Sequence, residues 1–363
     1  MGFKCGIIGL PNVGKSTLFN AITQSSIPAE NFPFCTIEPN VGVVEVPDSR
    51  LNKLQEIVRA KRVIPTTLNL VDIAGLVKGA SKGEGLGNSF LSNIREMNAL
   101  AHVVRCFDDN NITHVDGEIN STRDAEVINL ELIFADLETL NNRKEKIEKK
   151  LRSGDKDLAN EFRLIDICIK TLESGNFINM SDFPNKEDLL IIQSFQLLTT
   201  KPIFFIANIS DTASSSNNLD NLKEYAKKMK QEVIDVQIKL EEEIASLDEQ
   251  DKKDFLELEG IEEPALNKII KKGYEILGLE TFFTAGPNEL RAWTLKSGSL
   301  APQAAGRIHT DFERGFIKAE IISFEDYISF GGEAGSKENG KLRLEGKDYI
   351  FKDGDIAHFK FNV

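Results

Sequence analysis

Gly9-Leu10-Pro11-Asn12-Val13-Gly14-Lys15-Ser16-Thr17 follows the short apolar run Cys5-Gly6-Ile7-Ile8 and precedes a helix-forming run from Ser16 to Gln24. A G-x-x-x-x-G-K-[ST] loop between a buried strand and a helix is a phosphate-binding loop in the context its chemistry requires. Gly9 and Gly14 let the backbone wrap closely and aim a nest of N–H donors at phosphate oxygens, with the positive end of the following helix adding to the field. Lys15 supplies a mobile charge for the β- and γ-phosphates, and the Ser16 hydroxyl is placed to ligate Mg2+. Val13 and Thr17 fall within the same nucleotide-binding cradle.

Downstream, the turn-rich stretch 31–40 carries Thr36 just before a strand expected over Val41 to Val46. A threonine there suits a nucleotide switch, because its hydroxyl reaches Mg2+ and its N–H the γ-phosphate only while that phosphate exists. A helix from Leu51 to Ala60 leads to a strand, Thr67 to Val71, that ends in Asp72-Ile73-Ala74-Gly75. A carboxylate at a strand end with a glycine three residues on holds Mg2+ through Asp72 and meets the γ-phosphate with the Gly75 amide. Where Ras-like switches place a water-orienting glutamine, this chain has Leu76, which cannot hydrogen-bond to water. A helix from Leu86 to Asn98 and a strand from Ala101 to Phe107 continue an alternating β/α pattern, which predicts an α/β fold with a mostly parallel, doubly wound sheet. The polar loop 108–114 at the carboxyl edge of that sheet holds His114, one of only four histidines. His114 is a candidate to position the attacking water, with an ordinary surface histidine as the alternative.

The next strand, Lys201 to Asn208, begins more than 90 residues later. Apolar residues at three- and four-residue spacing (Val127, Leu130, Ile133, Phe134, Leu137; then Phe162, Ile165, Ile169, Leu172) predict an inserted antiparallel helical hairpin. Its tip, 142–152, carries a net charge of +4 on a chain whose net charge is −13. Such a tip is either a solvated face or an RNA-backbone contact. At the base-recognition position the chain reads Asn208-Ile209-Ser210-Asp211, with Ile209 in place of the lysine that packs along guanine, and Lys239-Leu240 follows the next strand, Val233 to Ile238, as a weak counterpart of the second base-contacting box. Phosphate recognition is intact and guanine recognition degraded.

At 363 residues the chain suggests two or three domains. The acidic balance argues against coating nucleic acid by bulk charge. No apolar run approaches the roughly 20 residues that span a bilayer, and scattered Cys5, Cys35, Cys106 and Cys168 form no metal spacing, so reduced thiols in a cytoplasmic protein are expected. From Leu279 the pattern turns to short strands (Arg291 to Thr294, Phe316 to Ile322, Tyr349 to Phe351, Ala357 to Phe361), read as a small mixed sheet around one helix, near neutral and suited to docking.

Gly-Leu-Pro-Asn-Val-Gly-Lys-Ser at 9–16, Asn-Phe-Pro-Phe-Cys-Thr-Ile-Glu-Pro-Asn at 31–40, Asp-Ile-Ala-Gly-Leu-Val at 72–77 and Ile308-His309-Thr310-Asp311-Phe312-Glu313-Arg314-Gly315-Phe316-Ile317 together resemble the YchF/Ola-type branch of the Obg-related P-loop NTPases, over essentially the whole chain. The resemblance implies a nucleotide-binding domain over 1–122 and 200–277, an inserted α-helical coiled coil over 123–199 and a C-terminal β-grasp (TGS) domain over 278–363. It also implies slow Mg2+-dependent hydrolysis of ATP rather than GTP, a hydrophobic residue (Leu76) in place of the catalytic glutamine, and a nucleotide switch associated with the ribosome, the large subunit being the expected side. RNA contact is expected through the 142–152 tip or the TGS domain. His114 matches a catalytic candidate of the family, and Asn12 matches the loop asparagine that in related potassium-dependent NTPases helps hold K+. The chain departs from the ATP-preferring pattern Asn-x-x-Glu by carrying Asp211. A GTPase of the same architecture, or an RNA- or ribosome-binding module with nucleotide in a structural role, are the alternative readings.

Overall fold

The computed structural model describes residues 3–24, 40–73, 86–109, 111–114, 117–150 and 156–362; Thr36, Gly75, Leu76 and Arg152 lie outside them. β1 (Lys4–Ile8) enters α1 (Lys15–Gln24), followed by β2 (Val41–Glu45), α2 (Ser49–Val58), the short β3 (Val63–Ile64), β4 (Thr67–Asp72), α3 (Leu86–Glu96) and β5 (Ala99–Arg105). Three helices, α4 (Ser121–Glu148), α5 (Lys156–Glu173) and α6 (Lys186–Ser194), precede β6 (Ile203–Asn208), α7 (Ala213–Lys228), β7 (Val233–Val236), α8 (Ile238–Ser246), α9 (Glu249–Leu258) and α10 (Ala265–Ile276). The rest comprises β8 (Leu279–Ala285), β9 (Leu290–Lys296), α11 (Ala301–Ile308), α12 (Thr310–Arg314), β10 (Phe316–Ile322), α13 (Phe324–Ser329), α14 (Glu333–Glu338), β11 (Arg343–Glu345) and β12 (Ile356–Phe361).

The first sheet has the order β2-β4-β1-β5-β6-β7. Every pairing in it is parallel except β2 on β4. β5 and β6 are buried along their whole length, as apolar strands covered on both faces must be. The mostly parallel, doubly wound sheet read from the β/α alternation is therefore the observed fold, and its carboxyl edge, where ligands bind in such sheets, gathers the ends of β1, β4, β5, β6 and β7.

One buried histidine sits within that sheet. His102 on β5 is 1% exposed, its ring centroid lies 5.1 Å from that of Phe205, and burial, reinforced by the Lys15 charge, pulls its pKa down to about 3. Folding therefore favours the neutral imidazole, so the unfolded chain takes up the extra proton as pH falls below about 6.5, and stability declines from there toward pH 3. His102→Phe is expected to flatten the fall in melting temperature between pH 6.5 and 5, where His102 contributes a slope approaching 1.4 kcal/mol per pH unit. An undiminished slope in the variant would assign the acid sensitivity to other groups.

The helical insertion is not separate from the sheet. α4 starts where the Asn120 side chain accepts from Arg123 N and runs about 42 Å. Its first half buries Ile128, Leu132 and Ala135 in the core of the first sheet. Its second half buries Leu140 and Ile147 against Leu164, Ile165, Cys168 and Leu172 of α5. The chain returns to β6 through Asp136, whose carboxylate accepts from Leu198 N at 2.9 Å, Thr199 N at 2.8 Å and Thr199 Oγ1 at 2.7 Å. The hairpin expected from the periodicity is present, but the first half of α4 belongs to the nucleotide-binding body. At the tip, Arg143 pairs with Glu161 at 2.5 Å and Lys144 with Asp166 at 2.6 Å, so two of the cations counted toward a basic tip serve the hairpin itself.

The second sheet has the order β11-β10-β12-β8-β9-β3. Its last strand comes from the other end of the chain: β3 pairs with β9 in parallel, Val63 opposite Leu290. α2, capped by Asp48 and ended by Arg59 in the left-handed region at φ 50°, packs Leu51 and Leu54 among Phe283, Leu290 and Ile356. Arg50 clamps the junction, pairing with Asp48 at 2.7 Å and Asp353 at 2.6 Å. Residues 49–64, assigned in sequence to the nucleotide-binding segment, thus pack with the C-terminal sheet. Four short helices, α11 to α14, stand where one was expected, and Tyr349 to Phe351 makes only an isolated bridge, Leu300 to Ile350, instead of a strand. Phe351 looks strand-like in sequence because it is fully buried, packed edge-on to Phe282 at 5.2 Å.

Candidate nucleotide-binding site

Between β1 and α1 the backbone reaches φ +154° at Gly9, +62° at Asn12 and +101° at Gly14. A Cβ on Gly9 would lie 2.5 Å from Val103 O, and one on Gly14 2.7 Å from Asn208 Nδ2. Both glycines are required by close approach as well as by φ. Asn12 tolerates its left-handed conformation and donates from Nδ2 to Thr113 O at 3.2 Å, fastening the 108–114 loop against the phosphate loop. Val13 is buried, and Thr17 is half-buried on α1.

Lys15 is 7% exposed and its ammonium donates to Leu10 O at 2.6 Å. Burial lowers its pKa to about 8, with the Asp72 carboxylate pulling back the other way. A desolvated ammonium folded over the loop has few ligands of its own, which suits it to an incoming polyphosphate. Ser16 Oγ donates to Asp72 Oδ2 at 2.9 Å, while Asp72 Oδ1 is buried with no hydrogen-bond partner among the described residues. A hydroxyl and a carboxylate in contact, with one carboxylate oxygen orphaned, are hard oxygen donors of the kind Mg2+ takes alongside phosphate and water. Thr36 and Gly75, the other expected phosphate and metal contacts, lie outside the described residues.

At the other end of the cleft, Asn208 closes β6. Its Nδ2 donates to Val13 O at 3.0 Å and its Oδ1 accepts from Ile238 N at 3.3 Å, so this side chain joins the phosphate loop to the start of α8. Ile209 N donates to Val236 O at 2.9 Å, and the Ile209 side chain packs against the cluster of Val104, Phe205 and Leu222. Lys239 is exposed and Leu240 half-buried on α8. Asp211 is exposed and accepts from Gln237 Nε2 at 2.8 Å.

His114 is 8% exposed, with Nε2 2.8 Å from Asp124 Oδ2 in the first turn of α4. It is thus neither the surface loop histidine of the alternative reading nor an open side chain. The loop carrying it is held by Arg105, 1% exposed, whose Nε donates to Phe107 O at 3.0 Å, Nη1 to Ile112 O at 3.0 Å and Nη2 to Asp109 O at 3.1 Å. The guanidinium also lies 4.6 Å from the Phe107 ring centroid. Arg105, Asp124 and Gln237 were missed in the sequence. Only Arg105 carried a signal, as the charged terminus of a mostly apolar strand.

Comparison with known proteins gives the family of the chain. A family model described as a 50S ribosome-binding GTPase matches residues 4–136, and the YchF GTPase C-terminal model, described as a protein of unknown function, matches residues 279–362. The protein named Ribosome-binding ATPase YchF of Escherichia coli O157:H7 is 54% identical over 364 residues, covering 100% of both chains. Its Bacillus subtilis (strain 168) namesake is 52% identical over 367 residues with the same coverage. The solved structure of the Schizosaccharomyces pombe YchF GTPase superposes with a TM-score of 0.89 at 36% identity, covering 99% of this chain and 98% of that one. With full-length similarity on both measures, the chain belongs to the YchF family of P-loop NTPases.

Proposed function

We propose that this protein is a slow, Mg2+-dependent ATPase that works as a nucleotide switch on the ribosome in the cytoplasm. The observation that carries the reading is the 54% identity across the entire chain to a protein named a ribosome-binding ATPase. The backbone of 9–17 would cradle the phosphates, Lys15 would place positive charge against the β- and γ-phosphates, and Ser16, Asp72 and Thr36 would hold Mg2+, which when bound would supply charge neutralisation at the phosphates. Gly75 would meet the γ-phosphate through its amide. Asn12 is the residue placed to help hold K+ beside the phosphates. Leu76 leaves the attacking water without the usual glutamine, and His114, held against Asp124, is the side chain assigned to orient it.

ATP is favoured over GTP because two guanine-reading elements are altered: the half-buried Ile209 packs against a core cluster, and Asp211 is already engaged by Gln237. The S. pombe relative is described as a GTPase, which keeps GTP as the alternative substrate. Contact with the large subunit would come through the C-terminal domain or through RNA backbone at the 142–152 tip, where Lys146 and Lys149 are exposed. Co-sedimentation with purified ribosomal subunits is expected to be stronger with a non-hydrolysable ATP analogue than with ADP. Binding indifferent to nucleotide would favour a scaffold in which nucleotide is only structural.

A further inference from the structure

We infer that Gln237 is a base-specificity residue, acting together with Asp211 to select adenine over guanine; the inference rests on the nucleotide site proposed above. β6 and β7 are adjacent and parallel, with Asn208 opposite Val236, so the residues after each strand project over the same edge of the sheet. Asn208 links that edge to the phosphate loop through Val13 O at 3.0 Å and to α8 through Ile238 N at 3.3 Å. Asp211 and Gln237 therefore lie side by side at the end of the site where the base of a nucleotide with its phosphates in 9–17 would come. They bond to each other directly, Gln237 Nε2 to Asp211 Oδ1 at 2.8 Å.

The orientation of that amide follows from chemistry. An ionised carboxylate only accepts, so the Gln237 group facing it is the NH2 and not the carbonyl. Two consequences follow for the base. Guanine is read by a carboxylate that accepts from N1–H and N2–H with both oxygens, and one Asp211 oxygen already holds a donor. The Gln237 carboxamide retains a carbonyl acceptor and one N–H donor, the pair of groups that matches the amino group of adenine and its neighbouring ring nitrogen, as glutamine does when it reads adenine in a duplex. Gln237 thus withdraws the guanine-reading carboxylate and offers an adenine-reading amide in its place. Ser210, whose N donates to Ser215 Oγ at 3.0 Å, keeps the intervening turn short and Asp211 in reach.

The test is displacement of a ribose-labelled fluorescent ADP by ATP and by GTP from the full-length protein, Gln237→Ala, and Gln237→Ala/Asp211→Ala. Gln237→Ala is expected to lower the ATP-over-GTP preference at least tenfold, by weaker ATP binding and tighter GTP binding, and adding Asp211→Ala should remove the gain in GTP. An unchanged preference, an equal loss for both nucleotides, or a loss confined to GTP would overturn the inference, since Gln237 would then only brace the loop or position Asp211 for guanine. A wild-type protein that prefers GTP, with the preference for GTP rising further in Gln237→Ala, would uphold the role of Gln237 while overturning the ATPase reading.

Discussion

Lys15→Ala is expected to reduce hydrolysis on the order of a hundred- to a thousandfold, the loss seen when one preorganised donor is removed from a developing negative charge. The structure adds a second readout that separates catalysis from folding. Lys15 is buried with its pKa lowered to about 8, so holding its ammonium in the folded state costs free energy before any phosphate arrives. Thermal stability without nucleotide should therefore be unchanged or higher in Lys15→Ala, while stabilisation by added nucleotide is lost. Retention of full turnover would contradict the proposed mechanism, and a fall in nucleotide-free stability would show that the Leu10 O bond and the Asp72 charge outweigh the cost of burying Lys15.

The second large effect is expected at Arg105. Its buried guanidinium donates to the carbonyls of Phe107, Asp109 and Ile112 and so fixes the course of the loop that follows β5. Arg105→Met keeps much of the stem but takes the side-chain donor from Phe107 O and Ile112 O, while Asp109 O keeps its bond from Ile112 N at 3.2 Å, a loss of about 2 kcal/mol in unfolding free energy. Because the same loop reaches the phosphate loop through Thr113 O and Asn12 and carries His114, turnover should fall as well, with nucleotide affinity largely kept. His114→Ala should slow turnover by a comparable factor without the loss of stability. Unchanged turnover in both variants would leave His114 as a structural partner of Asp124 rather than a group acting on water.

Much of the first half of the chain was legible because its signals are local. Gly9 and Gly14 are fixed by covalent geometry, and close approach to Val103 and Asn208 explains why no side chain fits. The β/α alternation follows from strands buried on both faces. The features that escaped depend on pairings between distant residues. β3 is two residues long, and nothing in Val63-Ile64 announces that it will pair with Leu290-Arg291. α4 reads as one amphipathic helix, yet its two halves pack against different partners. Gln237 looks like an ordinary polar residue after a strand until β6 and β7 bring it to Asp211, 26 positions away in sequence. In the C-terminal region, buried aromatic residues such as Phe351 mimic a strand, and α12, capped by His309, and α14, which has no side-chain cap, are too short to show a periodic pattern.

The base end of the site also explains why the phosphate motif alone did not decide the substrate. The 9–17 loop would bind the part that ATP and GTP share, whereas we assign the choice between them to Ile209, Asp211 and Gln237. Ile209 packs against a core cluster, and the Asp211 carboxylate is engaged by the Gln237 amide.

The most direct test of the central claim is equilibrium competition of ATP and GTP for the purified full-length protein in Mg2+, with and without K+. The account predicts tighter binding of ATP than of GTP, with K+ strengthening ATP binding through Asn12. Equal or tighter binding of GTP would contradict it.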